Sequence, residues 1–100
     1  FSINKRVITH LYSDNTIFTN ISECQLVYFG LSKESILSVL DEGTVNFSKS
    51  DKKKSPCQLF LIENIIKSKD YEVLFKYCDV KEEVSVISIN IKGQPSVCDN

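Results

Sequence analysis

The sequence predicts an α+β domain in which two short helices pack on a four-stranded antiparallel β-meander. Three observations carry this reading. Between Ser22 and Gly43 the apolar residues recur at helical spacing, broken by a glycine at position 30. From Thr44 onward the pattern changes to alternation and short apolar runs, and only brief polar turns separate those runs. Helical segments followed by consecutive strands joined by short turns give a helix layer on an antiparallel sheet. One hundred residues suffice for one hydrophobic core and not for two.

Taken in order, residues 1–21 form an N-terminal segment that reads as strand or irregular, and residues 22–100 form the single α+β domain. In the first segment "KRVITHLY" is compatible with a strand or a turn of helix, "SDN" at 13–15 signals a turn, and "TIFT" suits a short strand. Ser22 and Gln25 have the S-x-x-Q spacing of a capping box, in which each side chain satisfies an orphan backbone donor at a helix start. Leu26, Val27 and Phe29 then supply an apolar stripe, and Gly30 can take the left-handed C-terminal conformation. A second helix is expected from Ser32, with Ile36, Leu37, Val39 and Leu40 buried and Gly43 as its stop. The glycines thus read as helix terminators and not as phosphate-binding elements.

The strands follow. "TVNFS" is short, and "CQLFLIEN" is a nearly continuous apolar run suited to a central strand. In "YEVLFKYC" Tyr71, Val73, Phe75 and Tyr77 share one face, while Glu72, Leu74, Lys76 and Cys78 share the other. In "VSVISINIK" Val84 and Val86 lie on one parity and Ile87, Ile89 and Ile91 on the other. A β-bulge near Val86–Ile87 would turn all five toward the core.

The cysteines, Cys24, Cys57, Cys78 and Cys98, are even in number and contain no C-x-x-C. A zinc site typically needs close ligand pairs, so no metal is expected. Two disulfides in an oxidising compartment are expected, the alternative being four buried, reduced thiols. A hairpin centred near Lys67–Ser68 sets Cys57 and Cys78 nearly opposite one another, at separations a disulfide can span. That bridge would contribute on the order of 3 kcal/mol on chain-entropy grounds. Cys24 and Cys98 then pair by default.

Twelve basic residues against thirteen acidic ones leave a formal net charge of −1. No long-range field steers a polyanion, so nucleic acid is not expected as a partner. No apolar run reaches the roughly 20 residues that cross a bilayer. Because the chain starts with Phe1, a fragment or processed product is expected, with any signal peptide or lipid anchor upstream.

The stretches "GLSKESILSVLDEGTVNFSKS", "PCQLFLIEN", "YEVLFKYCD" and "VSVISIN", with the late Cys98, resemble the DUF4258 domain family. The likeness covers roughly residues 20–98. It is closest to the cysteine-bearing extracytoplasmic versions of Bacteroidetes, and its most specific parts are Gly43, Val45, Asn46, Lys49 and Ser50 together with Pro56–Cys57. The resemblance implies a branch of the RelE-like (barnase–colicin–RelE) ribonuclease-toxin fold and a bacterial, secreted or lipid-anchored protein. Such ribonucleases use cations and general acids or bases to stabilise a transferring phosphate. The family's first helix commonly carries a histidine and arginines, and its strand corresponding to 71–78 carries an arginine. Here the helix reads "SECQLVYFG" and the strand position is Glu72. The expectation is therefore a non-catalytic, extracytoplasmic domain that binds a protein or other ligand, with no cofactor. The alternative is an RNase-type toxin, or a component of a toxin–antitoxin system, acting on RNA.

The candidate site residues are few. His10 is the only histidine, the residue type suited to proton transfer near neutral pH; with Arg6 four positions earlier it forms an acid-plus-cation pair on a helical turn. These two are the catalytic candidates, against an exposed histidine in a flexible segment. Lys49, Lys52, Lys53 and Lys54 are candidates to clamp a phosphate or acidic partner, against a solvated loop. Tyr71 and Tyr77 are ligand-binding candidates if the helices cover the opposite sheet face. In that case the exposed aromatic face, or a sheet edge, would receive a protein partner. No G-x-S-x-G supports a serine hydrolase.

Overall fold

The computed structural model describes residues 2–99. Phe1 and Asn100, the outer limits of the two sequence-defined segments, lie outside the described residues. The elements are α1 (Ile3–Leu11), β1 (Ile17–Phe18), α2 (Asn20–Phe29), α3 (Lys33–Leu37) with a 3-10 turn (Ser38–Leu40), β2 (Thr44–Asp51), β3 (Cys57–Ile66), β4 (Lys69–Cys78) and β5 (Glu83–Ile91). The α+β class holds. The sheet has five strands in the order β1-β5-β4-β3-β2, and β1 pairs parallel with β5 through Ile17–Ser85 and Phe18–Val86. The expected four-stranded antiparallel meander is therefore its larger part, with "TIFT" added as a parallel edge.

One row of the sheet shows where the core lies. Val45, Ile62, Val73 and Ile89 stand side by side across β2 to β5, and all four are buried. Phe60, Phe75 and Val86 form the next row and Tyr71 and Ile91 belong to a third; with Ile8, Leu11, Leu26, Ile36, Val39 and Leu40 from the helical segments they make one hydrophobic cluster. The helices therefore pack on the aromatic face of β4. Tyr71 is 3% exposed and meets Phe29 edge-to-face at 5.5 Å, so it is core and not an exposed platform.

The N-terminal segment is where expectation and structure part most. Residues 3–11 form a helix, the second of the two readings open for "KRVITHLY", and not the strand or irregular chain expected of the segment as a whole. Ser2 caps it by accepting from the Lys5 N–H at 3.2 Å, and Ile8 and Leu11 enter the core. Asn4 then fixes the helix to the open edge of β2: its amide accepts from the Val45 N–H at 2.6 Å and donates to the Gly43 carbonyl at 3.1 Å.

The start of α2 is corrected as well. The N-cap is Thr19, which accepts from the Ser22 N–H at 3.1 Å and donates to the Ile87 carbonyl at 3.0 Å. Gln25 does not cap the helix. It is buried, accepts from the Ile89 N–H at 2.6 Å and donates to the Val97 carbonyl at 2.9 Å. Its amide thus closes the free edge of β5 beyond the short β1, where an unpaired strand would otherwise offer its backbone. Gln25→Leu, similar in size but without the amide, should lower stability by about 2 kcal/mol, since it leaves the buried Ile89 N–H unpaired. Urea unfolding measures the loss, and faster exchange of the Ile89 amide locates it. Val27, expected on the apolar stripe, is 83% exposed; Leu26 is buried as expected.

Gly30 closes α2 in the left-handed conformation (φ 68°), and Ser32 caps α3. Ile87 is the extra residue in β5, since Leu74 pairs with Ser88 and Phe75 with Val86. Val84, Val86, Ile89 and Ile91 are buried, whereas the bulged Ile87 is half-buried and does not join them fully. At the β3–β4 turn Lys67 and Ser68 both have positive φ, 51° and 68°, the conformation of a two-residue type I′ loop. That register places Cys57 against Cys78, and the two are bridged; Cys24 is bridged to Cys98. No helix among the described residues is long and apolar enough to cross a membrane.

Candidate functional site

Helix α1 presents two stripes. Asn4, Ile8 and Leu11 point to β2 and the core, while Ile3, Arg6, Val7 and His10 recur at the spacing of an adjacent face. This second stripe is one wall of a groove of about 460 Å³. The opposite wall comes from the end of the sheet, where the core rows run out: Phe60 and Gln58 of β3, and Tyr77 with the following Asp79 at the end of β4. Lys52, Lys54 and Pro56, from the β2–β3 turn, form the rim.

Three kinds of chemistry meet here. The floor is apolar, from Val7 and the buried Phe60. A ring pair stands above it, with the His10 and Tyr77 centroids 5.5 Å apart and their planes inclined by 36°. The rim is cationic: Arg6, Lys52 and Lys54 line it with one carboxylate, Asp79. The Tyr77 hydroxyl donates to Asp79 Oδ1 at 3.4 Å. Burial first, and then the Asp79 charge and hydrogen bond, push the Tyr77 hydroxyl above its ordinary value. The volume lies within the range of small-molecule sites, in which apolar walls carry a few placed polar groups.

Of the sequence candidates, Arg6, His10, Lys52, Lys54 and Tyr77 converge on this groove. Lys53 is exposed in the same turn without lining it, and Tyr71 lies in the core. Lys49 belongs elsewhere. Between Asn46–Leu61 and Asp51–Leu59 the register of β2 slips, so residues 47–50 bulge out. Ser50 Oγ accepts from the Leu61 N–H at 2.9 Å, replacing the missing ladder partner, and donates to the Asn46 carbonyl at 2.7 Å. The bulge carries Lys49 to the uncovered face of the sheet, where its ammonium lies 3.5 Å from Glu72. Glu63, directly across from Glu72, accepts from the Asn46 amide at 2.8 Å and pairs with Lys92 at 3.5 Å. The Asn46 hydrogen bond, with Lys92 assisting, holds the Glu63 carboxyl below its ordinary value. The stretch containing Asn46, Lys49 and Ser50 is thus accounted for as the scaffold of a bulged strand.

Sequence reasoning missed Ile3, Val7, Pro56, Gln58, Phe60 and Asp79 as site residues. The signal for the first two was present in the 3-6-7-10 spacing of α1; nothing local signals the other four. No family model, curated protein or solved structure matches the chain. Fold and site together define a disulfide-bridged α+β domain with a cationic, aromatic groove between its N-terminal helix and the end of its sheet.

Proposed function

We propose that this protein is an extracytoplasmic domain of RelE-like fold that acts by binding, and that the groove between α1 and the β3–β4 end receives its ligand. The observation that carries the reading is the convergence of Arg6, His10, Lys52, Lys54 and Tyr77, from three separate parts of the chain, around an apolar floor. The two disulfides support an oxidising compartment, where such bridges persist. The fold relationship draws support from the order of helices followed by four antiparallel strands, with a cysteine bridge at the start of β3. Binding is favoured over cleavage because the histidine and arginines common in the resembled family's first helix have no counterpart in "SECQLVYFG", and the strand position that carries its arginine is Glu72.

The same convergence favours a second reading, a ribonuclease with His10 as general acid and Arg6, Lys52 and Lys54 holding phosphate. Incubating the oxidised protein with RNA over a range of pH separates the two. The binding reading expects intact RNA. Cleavage that disappears in His10→Ala would overturn it and establish the nuclease.

A further inference from the structure

From the chemistry of the groove walls we infer the ligand class: a small molecule bearing a carboxylate or phosphate group on an aromatic body. The inference rests on the groove being the binding site, and goes further by naming what fits it. Charge decides the first half. The chain as a whole carries −1, yet the side chains lining this groove include three fixed cations and one carboxylate. Such a local excess inside a concave, partly apolar surface concentrates an anion that the rest of the molecule repels. Lys52 and Lys54, exposed in the β2–β3 turn, supply point charges suited to a carboxylate or phosphate, with Arg6 in the same lining. Lys52 Nζ also lies 5.5 Å from the centroid of the Phe47 ring, a cation–π contact with a ring outside the groove lining.

Shape decides the second half. A bare inorganic anion would leave the exposed Ile3 and the half-buried Val7 wetted and the His10–Tyr77 pair unused. A flat ring laid along those side chains covers them, and its charged substituent then reaches the rim. The Tyr77 hydroxyl, which donates to Asp79, and the Gln58 amide, which donates to the Lys52 carbonyl, hold this wall and the rim in place. A polyanionic strand fits less well, because beyond this rim the molecule has no surplus of positive charge to follow a backbone.

The test is a titration of the ¹⁵N-labelled, oxidised protein with four probes: phenyl phosphate, benzyl alcohol, benzylamine and inorganic phosphate. Phenyl phosphate is expected to shift the amides of Arg6, His10, Lys52, Lys54 and Tyr77 and to bind at least about tenfold more tightly than each of the others, a loss in line with removing one good charged contact. The double variant Lys52→Ala/Lys54→Ala, altered only at exposed turn positions, should weaken phenyl phosphate by a similar factor while leaving benzyl alcohol unchanged. Equal binding of benzyl alcohol at the same residues would overturn the anionic class and leave the groove as the binding site. Equal binding of inorganic phosphate would overturn the aromatic body. Shifts confined to residues outside the groove, or none with any probe, would overturn the inference. The RNA experiment fails or succeeds independently of all these results.

Discussion

Replacing Cys24 and Cys98 together by serine is expected to lower the unfolding free energy by about 4 kcal/mol, and replacing Cys57 and Cys78 by about 3 kcal/mol. The order follows from loop length, since the bridged residues are 74 positions apart in the first pair and 21 in the second. A cross-link acts mainly by removing conformations from the unfolded chain, and a longer loop removes more of them. The Cys24–Cys98 bridge also holds the segment after β5 against α2, where the Val97 carbonyl receives the Gln25 amide. A domain of this size has a total stability of only about 5–15 kcal/mol. The two bridges together are thus comparable with the whole, which is why an oxidising compartment suits this chain. Urea unfolding of both double variants against the parent measures the losses. A larger loss for the Cys57/Cys78 variant would show that the hairpin end of the groove, and not the unfolded chain, is where these bridges act.

The parts of the fold that the sequence disclosed are those fixed by local counting. The β3–β4 hairpin could be registered from its period of two and its two-residue turn, and the Cys57–Cys78 pairing followed from that register. The bulge at Ile87 was visible as a change of parity. What escaped depends on partners distant in the chain. Helix α1 contains Val7, Ile8 and Thr9, β-branched residues that weaken a local helix signal; its helical state is secured by burial of Ile8 and Leu11 and by Asn4 on the edge of β2. Gln25 has the spacing of a capping residue, yet an open strand edge 64 positions away claims its amide.

The site shows the same division. Arg6 with His10, and the lysine cluster, were each conspicuous in sequence, but as unrelated features. Only the docking of α1 across the end of the sheet joins them. The lysine run also misleads in one respect, because Lys49 and Lys52 look like one cluster while the β2 bulge sends Lys49 to the other face. Alternation fails as a guide wherever a strand gains unpaired residues.

Two adjacent substitutions in the turn before β2 should have opposite signs. The sequence marks Gly43 as the helix stop, but the residue with positive φ there is Glu42, at 63°. Gly43 is needed for a different reason: a Cβ at that position would lie 2.2 Å from the Val39 carbonyl oxygen and 3.0 Å from Ile62 Cγ2. The first contact is with backbone, so the 3-10 turn must move before an alanine fits. Gly43→Ala is therefore expected to cost about 3 kcal/mol, the upper end for overpacking a well-filled site. Glu42→Gly should instead stabilise by up to about 1 kcal/mol, as relief of the left-handed strain outweighs the greater chain entropy of glycine. The loss at Gly43 has a reach that a simple core defect lacks. Its carbonyl accepts from the Asn4 amide, so a displaced turn loosens α1 and with it Arg6 and His10. Gly43→Ala should accordingly weaken ligand binding in the groove at temperatures where the protein is still folded, whereas Glu42→Gly should leave it intact. If Gly43→Ala unfolds earlier but binds as the parent does, Asn4 does not position the helix, and α1 is held by its buried apolar stripe alone.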